Sequence, residues 1–132
     1  QRSVVVWRGE RGDRARRKWV EVVRSATKQS RRARMPHVAD VVDLRGLVAR
    51  VAAADAAYVL HEEAGAPLAG AVLPEAGEVL VIVGPEGGIT PAELAALADA
   101  GAATVRLGTG VLRSSSAGPA ALAVVNARSR WR

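Results

Sequence analysis

The most regular apolar block in the chain is Val79 to Val83, five consecutive aliphatic residues that stop at Gly84-Pro85. A run that short, closed by a glycine–proline turn, predicts a fully buried strand. Thr90, Pro91 and Glu93 then stand at the N-cap, first-turn and capping-box positions of a helix that continues through Leu94, Leu97 and Ala98 and stops near Gly101. The pattern repeats at once. Residues 103–107 predict a second strand, Gly108 and Gly110 a second loop, and a last helix follows. Pro119 fits only the first turn of that helix, so its N-cap is expected at Ser115 or Ser116, with Ala121, Leu122 and Val125 facing the core.

Upstream the signals are weaker but of the same kind. Residues 3–7 read as a strand, and residues 9–13 as a polar loop. Residues 14–32 read as a helix with Ala15, Trp19, Val22, Val23 and Ala26 on one stripe. Residues 38–42 read as a short extended segment, residues 44–54 as an amphipathic helix, residues 56–60 as a strand and residues 67–74 as a connection. Strand–helix alternation predicts an α/β domain with a mainly parallel sheet flanked by helices. Two successive strand–glycine-loop–helix units bring both loops to the carboxyl edge of that sheet, where such folds bind ligands.

Composition narrows the chemistry. The chain has 132 residues, enough for one domain with its own core. It has no cysteine and two histidines, His37 and His61, so neither a disulfide nor a metal centre is expected. His37 is assigned to the surface. No apolar run approaches membrane-spanning length and the first residues lack signal-peptide form, so a cytoplasmic protein without a membrane partner is expected. Trp7, Trp19, Trp131 and Tyr58 are too scattered to form a base-stacking platform, and packing in a core or interface is expected of them.

The net charge of +6 is uneven. Residues 1–50 carry fourteen Lys and Arg against five Asp and Glu, a net +9, while residues 51–132 carry five against eight, a net −3. Such asymmetry points to a polyanion at the front of the chain and a small ligand at the back. The run Lys28-Gln29-Ser30-Arg31-Arg32-Ala33-Arg34 contains no acid that would neutralise it. A solvated charged face is the bland alternative; phosphate contact through Lys28, Gln29, Arg31, Arg32 and Arg34 is the preferred reading.

Gly84-Pro85-Glu86-Gly87-Gly88 is neither a Walker loop nor a dinucleotide fingerprint, since the lysine of the one and the glycine spacing of the other are missing. A glutamate inside the loop would repel a phosphate. Gly87 and Gly88 are expected where the turn needs positive φ. A loop with a glutamate beside one with an arginine suits a neutral or cationic ligand held by backbone groups. S-adenosylmethionine, which bears a sulfonium and no phosphate, fits. Glu86 is then either a loop cap or a site residue, and Arg113 either a surface partner for an acid or the cation of the site.

IVGPEGGITPAEL at residues 82–94, VRLGTGVLR at 105–113 and TKQSRRARMP at 27–36 together resemble the RsmE family. The resemblance spans most of the chain. It implies methylation of N3 of a uridine in 16S ribosomal RNA of the small subunit, with S-adenosylmethionine as cofactor. It also implies a SPOUT-class fold with a C-terminal trefoil knot, and a homodimer. By position it implies a cofactor pocket of Leu60, His61, Val83, Gly84, Pro85, Glu86, Gly87, Gly88, Leu107, Gly108 and Leu112. Arg113 would stand beside the reacting base, with Glu86 as a second catalytic group and the Gln29–Arg34 stretch toward RNA. Family members begin with a small RNA-binding domain and then a helix and strand of the methyltransferase domain; residues 1–132 are expected to follow all of these. Many members have a glutamate where this chain has Ser115. The competing readings are another SPOUT methyltransferase, acting on tRNA or a ribose 2′-hydroxyl, and a non-catalytic RNA-binding or assembly module.

Overall fold

Three parallel strands organise the larger part of the chain. In the structure, a computed structural model that describes residues 9–129, β1 (Ala56–Leu60) lies between β2 (Val79–Val83) and β3 (Ala103–Val105). Leu60 pairs with Val83 on one side and with Val105 on the other, so all three strands end level. The expected parallel α/β arrangement is present. The expected strand at residues 3–7, Trp7 and Trp131 lie outside the described residues. The chain divides into two units, one running from residue 44 onward and one ending at residue 43.

In the first unit, strand alternation sends side chains to two faces. Ala57, Val59 and Ile82 pack on one face with Val51 of α2 (Leu44–Ala53) and Leu97 of α3 (Pro91–Asp99). Tyr58 and Val105 pack on the other with Ala121 of α4 (Ser114–Arg128) and Leu68, in a 3₁₀ turn at Leu68–Gly70. The Tyr58 hydroxyl donates to the Val72 carbonyl, which satisfies its buried polar end. Arg128 at the end of α4 donates to the Ala71 and Leu68 carbonyls at 2.6 and 3.3 Å, tying the helix to that turn.

β2 is not the fully buried strand its five aliphatic residues predict. It is an edge of the described sheet and only Ile82 is buried. Burial passes instead to β1, whose three middle residues are all buried because it has a neighbour on each side. β3 ends at Val105, two residues early; Arg106 continues only as a single bridge to Pro67.

α3 begins as expected. Thr90 Oγ1 accepts from the Glu93 N–H at 3.2 Å, and the Thr90 N–H and hydroxyl donate to Glu93 Oε2 at 2.9 and 2.7 Å. The backbone N–H of Thr90, followed by its hydroxyl, lowers the Glu93 pKa from 4.5 to about 2. A depressed carboxylate pKa stabilises the fold above the unfolded value, and that contribution is lost as pH falls through the folded one. Thr90→Ala is therefore expected to cost about 1 kcal/mol at neutral pH. The deficit should shrink as pH falls from about 4.5 toward about 2, read by denaturant unfolding at a series of pH values. A deficit independent of pH would show that the carboxylate takes no part in the cap.

In the second unit, α1 (Glu10–Gln29) starts inside the expected polar loop. Glu10 and Asp13 occupy its first turn, where acids suit the positive end of a helix, so polarity there marks a start rather than a loop. Trp19 and Val22 of the expected core stripe are 52% and 50% exposed, so Trp19 is not a core residue. Residues 38–42 carry no regular secondary structure. Among the described residues no helix is long and apolar enough to cross a membrane.

Candidate active site

Because the strands are parallel and end level, the loops that follow them open on the same edge. They form a cleft of about 890 Å³, of the size that accepts a small molecule. Every residue expected to hold the cofactor lines it: Leu60 and His61 after β1, Val83 to Gly88 after β2, and Leu107, Gly108 and Leu112 after β3, with Arg113 beside them. The cleft is also lined by Glu62, Glu63, Ile89, Arg106, Gly110, Val111, Ser114, Ser115 and Ala117. Several of these could have been found by extending each loop to its end. Arg106 could not, since it lies in the stretch that reads as strand.

Two glycines shape the first loop for different reasons. Gly88 has φ 75°, a conformation that side chains resist, and its N–H closes a turn on the Pro85 carbonyl at 2.8 Å. At Gly84 space decides: a Cβ would lie 2.8 Å from Ile89 Cγ1. Gly87 does not have the positive φ expected of it.

Across the cleft, Ser114 Oγ donates to Glu86 Oε1 at 2.7 Å. That bond, followed by the residue's own backbone N–H, holds the Glu86 carboxyl below the usual carboxylate range. Glu86 is thus ionised at neutral pH and is a weak proton acceptor. Arg113 is the N-cap of α4, an exposed residue whose carbonyl accepts from the Ser116 and Ala117 N–H groups at 2.8 and 2.9 Å. The helix therefore starts before the expected Ser115 or Ser116, and no side chain caps it. Pro119 consequently lies inside the helix and not in its first turn as expected; it cannot donate to the Ser115 carbonyl, and its ring crowds that group. Leu122, expected in the core, is 55% exposed, while Ala121 is fully buried.

His61 donates its backbone N–H to the Val105 carbonyl at 2.9 Å, fixing the residue at the end of β1. Its Nδ1 accepts from the Glu63 N–H at 3.3 Å.

The basic group belongs to the other unit. Lys28 and Gln29 are the last residues of α1, whereas Arg31, Arg32 and Arg34 follow in a loop; all five are exposed. The helix stops before the expected residue 32 because the chain turns left-handed at Arg31, with φ 53°. The Arg32 N–H bonds the Thr27 carbonyl and the Arg31 N–H that of Lys28, both at 3.1 Å. This is a Schellman stop in which arginine stands where glycine is usual. Among the described residues no cluster of His, Asp or Glu could hold a metal ion.

Fold and cleft together define an α/β domain that takes a small ligand at the carboxyl edge of a parallel sheet. The model of the RNA methyltransferase domain family matches residues 1–126, and the chain belongs to that family, on its RsmE branch. It is 51% identical to the ribosomal RNA small subunit methyltransferase E of Mycobacterium tuberculosis, over 98% of this chain and 52% of that protein. To the protein of the same name from Bacillus subtilis it is 31% identical, over 95% of this chain and 52% of that one. A crystal structure of a ribosomal RNA small subunit methyltransferase E from Neisseria gonorrhoeae bound to S-adenosyl methionine matches with a TM-score of 0.84. The identity there is 27%, covering 98% of this chain and 52% of that one. The chain thus spans about half the length of the curated relatives it matches.

Proposed function

We propose that the protein is an S-adenosylmethionine-dependent methyltransferase acting on N3 of a uridine in 16S ribosomal RNA of the small subunit. The observation that carries this reading is the cleft: three strand ends deliver all the expected cofactor residues to one place. Its chemistry fits the cofactor. Leu60, Val83, Leu107 and Leu112 offer apolar surface to an adenosine, the loops offer backbone groups, and Glu62, Glu63 and Glu86 offer negative charge to a cation. Bound there, S-adenosylmethionine would supply an electrophilic methyl group.

The uridine N3–H is weakly acidic, so the chain has to stabilise negative charge that spreads onto the flanking carbonyls. Arg113, at the rim of the cleft on a fixed helix N-cap, is the group suited to that task. Glu86, already ionised and bound to Ser114, serves less well as the base. The exposed Leu122 on α4 supports a homodimer through this helix. The path from β3 to α4, which packs back against β2 on the far side of β1, suits a C-terminal trefoil knot. A ribosomal substrate places the protein in the cytoplasm.

The test is calorimetry with S-adenosylmethionine, followed by nucleoside analysis of small-subunit RNA incubated with the protein. Binding and N3-methyluridine are the expected results. No binding would leave a non-catalytic module, and a methyl on a ribose 2′-oxygen or on tRNA would mark another SPOUT activity.

The basic group supplies the RNA contact in this proposal. Arg31→Gly combined with Arg32→Ala removes two cations while relieving the left-handed strain at residue 31. Affinity for ribosomal RNA should fall, and its logarithmic salt slope should flatten by about one unit for each phosphate that these arginines no longer neutralise. An unchanged slope in filter binding would make these arginines a solvated face.

A further inference from the structure

One side-chain bond joins the two strand–loop–helix units across the cleft. Ser114 is the first residue of α4 and Glu86 the middle of the loop after β2, 28 positions earlier, yet they lie 2.7 Å apart. α4 is otherwise poorly provided for at that end. It has no acid in its first turn and no side-chain cap, although N–H groups at a helix start need acceptors and favour negative charge. Glu86 brings that charge from the loop after β2. The chain between the two loops contains all of α3 and β3, so this bond is a direct tie between segments that the backbone connects only by a long route. Arg113 immediately precedes Ser114, and its carbonyl is held by the Ser116 and Ala117 N–H groups. A shift of Ser114 would therefore carry the backbone of Arg113 with it.

We propose that Glu86 and Ser114 form a clasp that holds Arg113 in place at the cleft, so that Glu86 is a positioning residue for methyl transfer and not the group that takes the proton. The proposal rests on the methyltransferase reading above and assigns Ser114 a part in it. The carboxylate accepts from a hydroxyl and is needed in its charged form throughout the reaction; a base would have to be free to gain a proton and have a pKa near the working pH.

A double-mutant cycle separates the two roles. With the clasp, Ser114→Ala and Glu86→Ala each slow methyl transfer by roughly tenfold, since misplacement by about 1 Å costs up to about a hundredfold. The double variant is then no slower than the slower single, because both remove the same tie. Ser114→Thr keeps the hydroxyl and restores the rate. If Glu86 were the base, Glu86→Ala would slow the reaction far more than Ser114→Ala; that inequality overturns the clasp, and so would losses that multiply, which would mean that the two side chains act independently.

A second readout does not depend on activity. The carboxyl carbon of Glu86, followed by NMR, should titrate below the ordinary glutamate range in the parent and move up toward it in Ser114→Ala. An unmoved midpoint overturns the clasp whatever the rates do. A parent that neither binds S-adenosylmethionine nor methylates RNA sinks the methyltransferase reading, and the positioning role with it, while a shifted midpoint would still show the tie itself.

Discussion

Arg113→Ala is expected to lower methyl transfer by roughly 10²–10³-fold, the usual effect of losing one donor to developing charge, with S-adenosylmethionine affinity nearly unchanged. The separation follows from where the residue sits. Arg113 lines the cleft together with Leu112, but it is also the N-cap of α4 and is exposed. Its backbone is held by two helical N–H groups, so truncating the side chain leaves the loop where it was. In the proposed reaction a guanidinium there would meet charge that develops only as N3 loses its proton, and ground-state binding of the cofactor would not draw on it. Arg113→Lys should restore little, because a point charge does not reproduce the planar fork. Single-turnover rates and calorimetry decide the matter. Normal methylation by Arg113→Ala, or joint loss of binding and rate, would remove the catalytic role.

The second large effect is on binding. Gly84→Val and Gly88→Val are each expected to weaken S-adenosylmethionine binding by at least about a hundredfold, or about 2.7 kcal/mol. Their causes differ. At residue 84 the added Cβ falls 2.8 Å from Ile89 Cγ1, far inside contact distance, so the Ile89 side chain or the turn that carries it has to move. At residue 88 nothing lies within 4 Å of a new Cβ, but φ 75° is a conformation a β-branched residue resists. Either change shifts the loop that forms one wall of the cleft. Gly87 has no such requirement for φ, and a loss at residue 87 would have to come from the side chain's intrusion instead. If both valine variants fold, by circular dichroism, and bind as tightly as the parent, the ligand sits elsewhere.

Much of the fold and cleft is legible in the order of residues. A glycine–proline stop after five aliphatics, and a Thr-Pro-x-Glu start after the loop, are local signals. They place β2, the loop and α3 without reference to anything distant. Parallel strands follow from the alternation of elements, and the carboxyl edge follows from parallel strands. The individual cofactor residues, Leu60 and His61 among them, were implied by the family resemblance, and all of them line the cleft at that edge. The family came from the motifs themselves, whereas the chemistry of the two loops reached only a neutral or cationic ligand, which S-adenosylmethionine fits.

Tertiary structure decided whatever depends on neighbours that local sequence does not name. Burial of a strand is set by what lies on each side of it, so β1 rather than the more aliphatic β2 is the central strand. Leu122 and Trp19 carry the right chemistry for a core, yet both are exposed, because periodicity marks a face without saying what covers it. The stop of α1 at Gln29 turns on left-handed backbone at an arginine, which no propensity predicts. The start of α4 departs from expectation for a related reason. Serines at residues 115 and 116 look like caps, but the helix begins earlier, at Ser114, whose hydroxyl donates to a glutamate from another loop, 28 residues away in the chain and 2.7 Å away in space. Local rules identify groups able to hydrogen-bond; only the folded chain determines which groups meet.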